Sequence, residues 1–192
     1  MKIERVSPGT LKLAQICDVF TQQLLHGSLK PKLLKLSRPG SVQEQDRLLV
    51  CTDYGELKGA LIYHLVYPKN IVELAETIAG LVRDASEIRD IQGMPINEVL
   101  ANELLGFRSY DFIRPLAFVD VLEAFPQKNG NGRKLIRSLQ SQGGIEGIFL
   151  ESDVVNEKPS YGFYEKVGFI KSGVYISSPD KPVMVWMKSG QY

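Results

Sequence analysis

Between Arg114 and Leu135 the chain gathers the residues best suited to chemistry. Gln127, Lys128, Asn129, Gly130, Asn131 and Gly132 follow one apolar stretch and precede an amphipathic one. Small, flexible residues let successive backbone N–H groups turn toward one point, and a helix that starts there adds the positive end of its dipole. Such a point attracts an anion, so a strand, a glycine turn and a helix N-terminus together make a cradle for phosphate or pyrophosphate. Two other glycine motifs fail on spacing. The third glycine of G-x-G-x-x-G would fall at Leu135, and a Walker loop needs Gly-Lys-Ser/Thr where the chain has Gly132, Arg133, Lys134 and Leu135. Asn129-Gly130 or Asn131-Gly132 would also suit a type I′ hairpin turn. The residues that follow argue against it: Leu135, Ile136 and Leu139 recur at helical spacing with Arg137, Ser138 and Gln140 between them, and Gly143-Gly144 ends the run. Upstream, Leu116, Phe118 and Leu122 alternate with Ala117, Val119 and Val121, the pattern of an interior strand covered on both faces and interrupted by Asp120.

Gln127 to Gly132 match the acyl-CoA signature Gln/Arg-x-x-Gly-x-Gly/Ala, and Phe163-Tyr164-Glu165-Lys166-Val167-Gly168-Phe169 matches a Phe-Tyr-x-x-x-Gly-Phe block. On these two segments the chain resembles the GNAT superfamily of N-acetyltransferases. The resemblance covers residues 114 to 188 well and the first 66 in outline. It implies an α/β fold with a GNAT-like mixed central sheet flanked by helices, acetyl-CoA as co-substrate without a metal, and direct transfer of acetyl to a primary amine of a small molecule or a protein. It also implies roles for particular residues. Gln127 and the backbone from Lys128 through Asn129, Gly130, Asn131 and Gly132 to Arg133 would hold the pyrophosphate. Val121 and Leu122, at the strand end, would pair with the pantetheine arm. Asn156 would contact CoA, although it lies one residue farther from Tyr164 than is usual. Tyr164 would be the general acid that protonates the departing thiolate, a role its phenol suits. It reads equally well as a core aromatic with a satisfied hydroxyl.

One departure bears on the chemistry. The segment from Val121 to Gln127 has one residue more than the usual spacing, and Pro126 removes a backbone donor. A bulge would absorb it; a displaced strand end would instead misplace the N–H that polarises the thioester carbonyl. The alternative reading is therefore a catalytically silent CoA-binding or partner-binding protein of the same fold. A third is an unrelated nucleotide-binding α/β protein. If the chain is an enzyme, a lysine-like acceptor amine must lose a proton at neutral pH, across about 3.4 pKa units or ~4.6 kcal/mol. Asp120, Glu123 and Glu151 are the carboxylates near the expected site. Glu123, at the strand end, is the favoured base.

These residues need a scaffold, and the composition supplies one. At 192 residues, with 44% hydrophobic and 23% charged residues, the chain reads as one soluble domain spanning 1–192 with a core of its own. No apolar run approaches the ~20 residues that span a bilayer. No secretory signal is visible in MKIERVSPGT, so a cytoplasmic location is expected. A net charge of +1 offers nothing to nucleic acid or to an anionic membrane. Two cysteines, Cys17 and Cys51, and two histidines, His26 and His64, show no metal-ligand spacing.

In chain order the pattern predicts a strand over 2–6, then a helix capped by Thr10 that ends at Gly27, with His26 in its last turn. An irregular segment follows over 28–46. Two strands, 47–52 and 57–66, should join through Asp53-Tyr54-Gly55-Glu56. His64, in the second, reads as a hydrogen-bonded residue more readily than as a base. A helical insertion between the third and fourth strands fills about 67–113. One helix carries the apolar seam Ile71 to Ile88, and a second lies between Pro95 and Gly106. The seam is expected to pack beside the acceptor cleft or against a second copy, leaving monomer and homodimer both open. After the acyl-CoA core's turn and helix come a strand over 147–151, a helix from near Pro159, and a closing hairpin of 171–177 and 183–188.

Overall fold

The structure, a computed structural model, describes residues 1–6, 46–68, 73, 114–126, 128–152, 160–175 and 181–188. The expectations for Cys17, His26, the helix seam between Ile71 and Ile88, the helix after Pro95, Gln127 and Asn156 lie outside these residues, although Glu73 itself is helical.

The chain divides into two compact units, Met1–Leu65 with Val119–Ser141, and Val66–Phe118 with Gln142–Tyr192. In the first, β1 (Lys2–Val6), β2 (Asp46–Asp53) and β3 (Glu56–Val66) form an antiparallel ladder. Leu48 to Cys51 and Ala60 to Tyr63 are buried without alternation, as in strands covered on both faces. The β2–β3 turn places Tyr54 and Gly55 at φ 48° and 82°, the paired positive values of a type I′ hairpin. The later part of β4 (Leu116–Ala124) and helix α1 (Asn131–Gln140) complete this unit. A ten-residue helix is too short to be stable alone in water. Leu135, Ile136 and Leu139, all fully buried, hold α1 on β1 and β2, each contributing about 1.5–3 kcal/mol of burial.

The second unit holds β5 (Gly147–Glu151), helix α2 (Tyr161–Lys166), β6 (Ile170–Tyr175) and β7 (Pro182–Met187). β7 pairs antiparallel with β5, Gly147 opposite Met187 and Glu151 opposite Val183, and with β6 on its other side. Glu146, 4% exposed, ties the strand entrances together. Its carboxylate accepts from the Arg114 N–H at 3.1 Å, its own N–H donates to the Pro115 carbonyl at 3.0 Å, and its carbonyl accepts from the Lys188 N–H at 2.9 Å.

The described strands make one mixed sheet in the order β1-β2-β3-β4-β5-β7-β6. Two expected boundaries beside the turn move. β4 continues past Leu122 to Ala124, taking Glu123 into the strand, and α1 begins at Asn131, so that Gly132 lies in the first helical turn and not in the loop before it.

Candidate functional site

The strand, turn and helix read from the sequence are all present, and the turn is the exposed element among them. After Ala124 the chain passes through Phe125 and Pro126, joined by a cis peptide bond, with Pro126, Lys128, Asn129 and Gly130 exposed. Lys128 and Gly130 have φ of 66° and 79°. Gly130 is the N-cap of α1, and a glycine has no side chain with which to cap the helix. The first helical bond, from the Lys134 N–H to the Gly130 carbonyl, is 3.0 Å. The amides of Asn131, Gly132 and Arg133 precede it and point off the helix end, as the first N–H groups of any helix do.

Charge reinforces this arrangement. The first turn of α1 contains no acidic residue, while Arg133 and Lys134 are exposed in it and Lys128 is exposed just before it. Cations at a helix N-terminus oppose the dipole, by an amount of order 0.3–1 kcal/mol each. An anion at the turn is attracted by both the cations and the helix end, and so offsets that cost. Beneath the turn, Asn131 is buried and its amide donates to the Phe125 carbonyl at 3.0 Å.

Along β4, Val121 is buried and Leu122 half-buried, and both precede the strand end by more than expected. Glu123 is half-buried, and burial pushes its carboxyl above the ordinary carboxylate range. Asp120 and Glu123 stand three positions apart in an extended strand and so project from opposite faces. Two of the three carboxylates that the sequence left as alternatives thus belong to different surfaces. Asp120, which its apolar flanks would make costly to bury unpaired, has a partner: its Oδ2 lies 3.8 Å from His64 Nε2, both side chains being partly exposed. That is too long for a hydrogen bond, yet near enough for the carboxylate to stabilise a protonated imidazole. The pairing links positions 64 and 120, and no local pattern reveals it.

In the second unit, Glu151 ends β5 and is half-buried. Tyr164 sits in α2, 8% exposed, with edge-to-face contacts to Phe163 at 5.0 Å and Phe169 at 5.6 Å between ring centres. The Phe-Tyr-x-x-x-Gly-Phe segment has a local physical reason. The Phe169 N–H donates to the Tyr164 carbonyl at 3.1 Å and the Gly168 N–H to the Glu165 carbonyl at 3.0 Å, with Gly168 at φ 95°. This is a Schellman C-cap, in which glycine supplies the left-handed residue and the flanking aromatic packs back on the helix. The cap fixes the Tyr164 ring, and burial pushes its phenol well above the ordinary value.

Neither a family model nor a curated protein matches the chain in sequence. Solved structures do match in fold. The N-acetyltransferase YlbP of Bacillus subtilis, in complex with coenzyme A, aligns at a TM-score of 0.51 and 14% identity over 97% of this chain and 95% of that one. Tetrahymena GCN5 aligns at 0.54 and 13% over the whole of both chains. The aminoglycoside 6'-N-acetyltransferase of Enterococcus faecium aligns at 0.55 and 14% over 98% and 97%. With its mixed sheet of seven described strands and glycine turn leading into α1, the chain has the fold of the GNAT N-acetyltransferases.

Proposed function

We propose that the protein is an N-acetyltransferase that moves acetyl from acetyl-CoA to a primary amine of a small molecule or a protein by direct attack. The observation that carries this reading is the exposed turn at Lys128–Gly130. It feeds an N-terminus without a side-chain cap, flanked by Lys128, Arg133 and Lys134 and free of acid in its first turn. Backbone amides there suit the pyrophosphate of CoA, and Val121 and Leu122 offer strand backbone to the pantetheine arm. The fold neighbours include a CoA complex, which supports the same ligand class. A cytoplasmic location belongs to the same proposal.

In the proposed reaction Glu123 accepts a proton from the acceptor ammonium, and its raised pKa makes it the stronger base. The amine lone pair attacks the thioester carbonyl carbon, the C–S bond breaks, the thiolate takes a proton from Tyr164, and the second proton released by the acylated nitrogen restores the phenol. A phenol pushed up by burial is a weak acid. Desolvation of the departing thiolate would make it a stronger base than in water and so narrow the gap that this transfer has to cross. The same burial favours a second reading, a protein that binds CoA without catalysis and uses Tyr164 as a core aromatic.

Free CoA thiol measured against a panel of primary amines separates the two. Release above the hydrolysis background supports transfer. Tight acetyl-CoA binding with no amine-dependent thiol supports the silent binder.

A further inference from the structure

We infer that Asn131 is a positioning residue for the anion-binding turn, its side chain tying the far end of the turn back to the near end. This rests on the acyl-CoA reading above and goes beyond it, because the motif asks only for the Asn131 backbone.

The described residues of the turn are at the surface. Pro126, Lys128, Asn129 and Gly130 are exposed, and two of them, Lys128 and Gly130, occupy the left-handed region within three residues. Asn131, by contrast, is 5% exposed, and its Nδ2 donates to the Phe125 carbonyl at 3.0 Å. Burying an amide without such a partner is costly, so the bond is worth more than an exposed one would be. The acceptor is a carbonyl, which only a donor can satisfy; neither Leu nor an ionised Asp could replace Asn there.

Phe125 is itself anchored. Its N–H donates to the Lys58 carbonyl in β3 at 2.9 Å. Beside it, β4 presses against β3 where Gly59 leaves room: a Cβ on Gly59 would stand 2.8 Å from the Glu123 carbonyl oxygen and 3.1 Å from Ala124 Cα. Glycine within a strand marks such a close approach. A path of two hydrogen bonds therefore runs from the sheet through Phe125 to the first residue of α1, spanning the turn. With its ends fixed, the turn presents its amides already ordered, and the ligand does not bear the entropy of ordering them.

The test combines calorimetric titration with acetyl-CoA, steady-state kinetics with a primary-amine panel, and amide hydrogen exchange over residues 128–133. It uses the unaltered chain, Asn131→Leu, Asn131→Ala and Gly59→Ala. The expected result is a rise of roughly tenfold in Kd and KM for acetyl-CoA in both Asn131 variants, the size of one net hydrogen bond. The effect on kcat at saturation should be smaller, and exchange at the turn faster. Gly59→Ala, acting from the β3 side, should shift Kd and exchange in the same direction. Unchanged Kd and KM in folded Asn131 variants would overturn the inference, as would a raised Kd with unchanged exchange, which would make Asn131 a direct contact. Loss of folding in both variants would assign Asn131 to the core and overturn it too. Failure of the unaltered chain to bind acetyl-CoA would overturn the acyl-CoA reading itself, and this inference with it.

Discussion

At the scale of single residues, Tyr164 and Glu123 are both desolvated, and in both burial disfavours the anion. Burial holds the Tyr164 proton in place and, by the same cause, raises the pKa at which Glu123 gives up its own. Tyr164→Phe keeps the ring contacts with Phe163 and Phe169 and removes only the hydroxyl. If the phenol is the acid, turnover falls at least about 10²-fold while acetyl-CoA affinity is retained, as stopped-flow thiol release and titration would show. Unaltered turnover would leave Tyr164 with its packing role alone. For Glu123 the sign follows from linkage. Its folded pKa lies above the unfolded value, so the carboxyl favours the fold at low pH, and that contribution is lost as pH rises through the folded pKa. Glu123→Gln removes the charged form, so relative to the unaltered chain the variant should gain stability at neutral pH. That gain should vanish below the ordinary carboxylate range. Turnover should move the other way, falling by about 10² if Glu123 is the base. The acid limb of kcat/KM in the unaltered enzyme should then lie above the ordinary carboxylate range and disappear in the variant. Denaturation at two pH values, read beside the pH–rate profile, checks both halves.

At the scale of elements, α1 does two jobs with different faces. Leu135, Ile136 and Leu139 seat it on β1 and β2, and its N-terminus faces the exposed turn. Gly130→Asp tests the second without touching the first. Space for a Cβ at Gly130 is open, and Asp is among the residues that tolerate positive φ, so folding should survive at a cost of about 1 kcal/mol. A carboxylate at the N-cap would repel pyrophosphate, and acetyl-CoA binding should be abolished in calorimetry; unchanged affinity in the folded variant would remove the cradle from the account. The strands and α1 were legible in the sequence because burial imposes a repeat. β2, β3 and β5 show unbroken apolar runs, and α1 shows helical spacing. What was not legible lacks a repeat. The start of α1 at Asn131 falls among Asn and Gly, which suit turns and caps equally. The extension of β4 to Ala124 passes through Glu123 and Ala124, half-buried residues without an apolar signal. The bond from Asn131 to Phe125 and the pairing of His64 with Asp120 depend on where the backbone goes, and neither partner's type announces the other.

At the scale of the whole molecule, a net charge of +1 means that no global field draws an anionic ligand in. The attraction is local, from Lys128, Arg133 and Lys134 together with the helix end, and exposed cations of this kind are screened over about 10 Å at 0.1 M salt. Backbone amides turned toward a bound phosphate are screened much less. The two contributions can be separated by melting the protein with ligand at several ionic strengths. Ligand at a hundred times its Kd stabilises by about 2.7 kcal/mol, which for a chain of this size raises Tm by roughly 5–10 °C. Acetyl-CoA should produce a shift of that order at low salt. At a fixed ligand concentration the shift should shrink as salt rises, as the cation contribution is screened, and should keep a residual part from the amides. Inorganic pyrophosphate, which can occupy only the turn, should give a smaller shift that falls more steeply with salt, because it lacks the contacts of the pantetheine arm to β4. A shift with ATP larger than that with acetyl-CoA would overturn the assignment. The glycine turn would then be serving a nucleotide, and the acyl-CoA signature between Gln127 and Gly132 would be a coincidence of spacing.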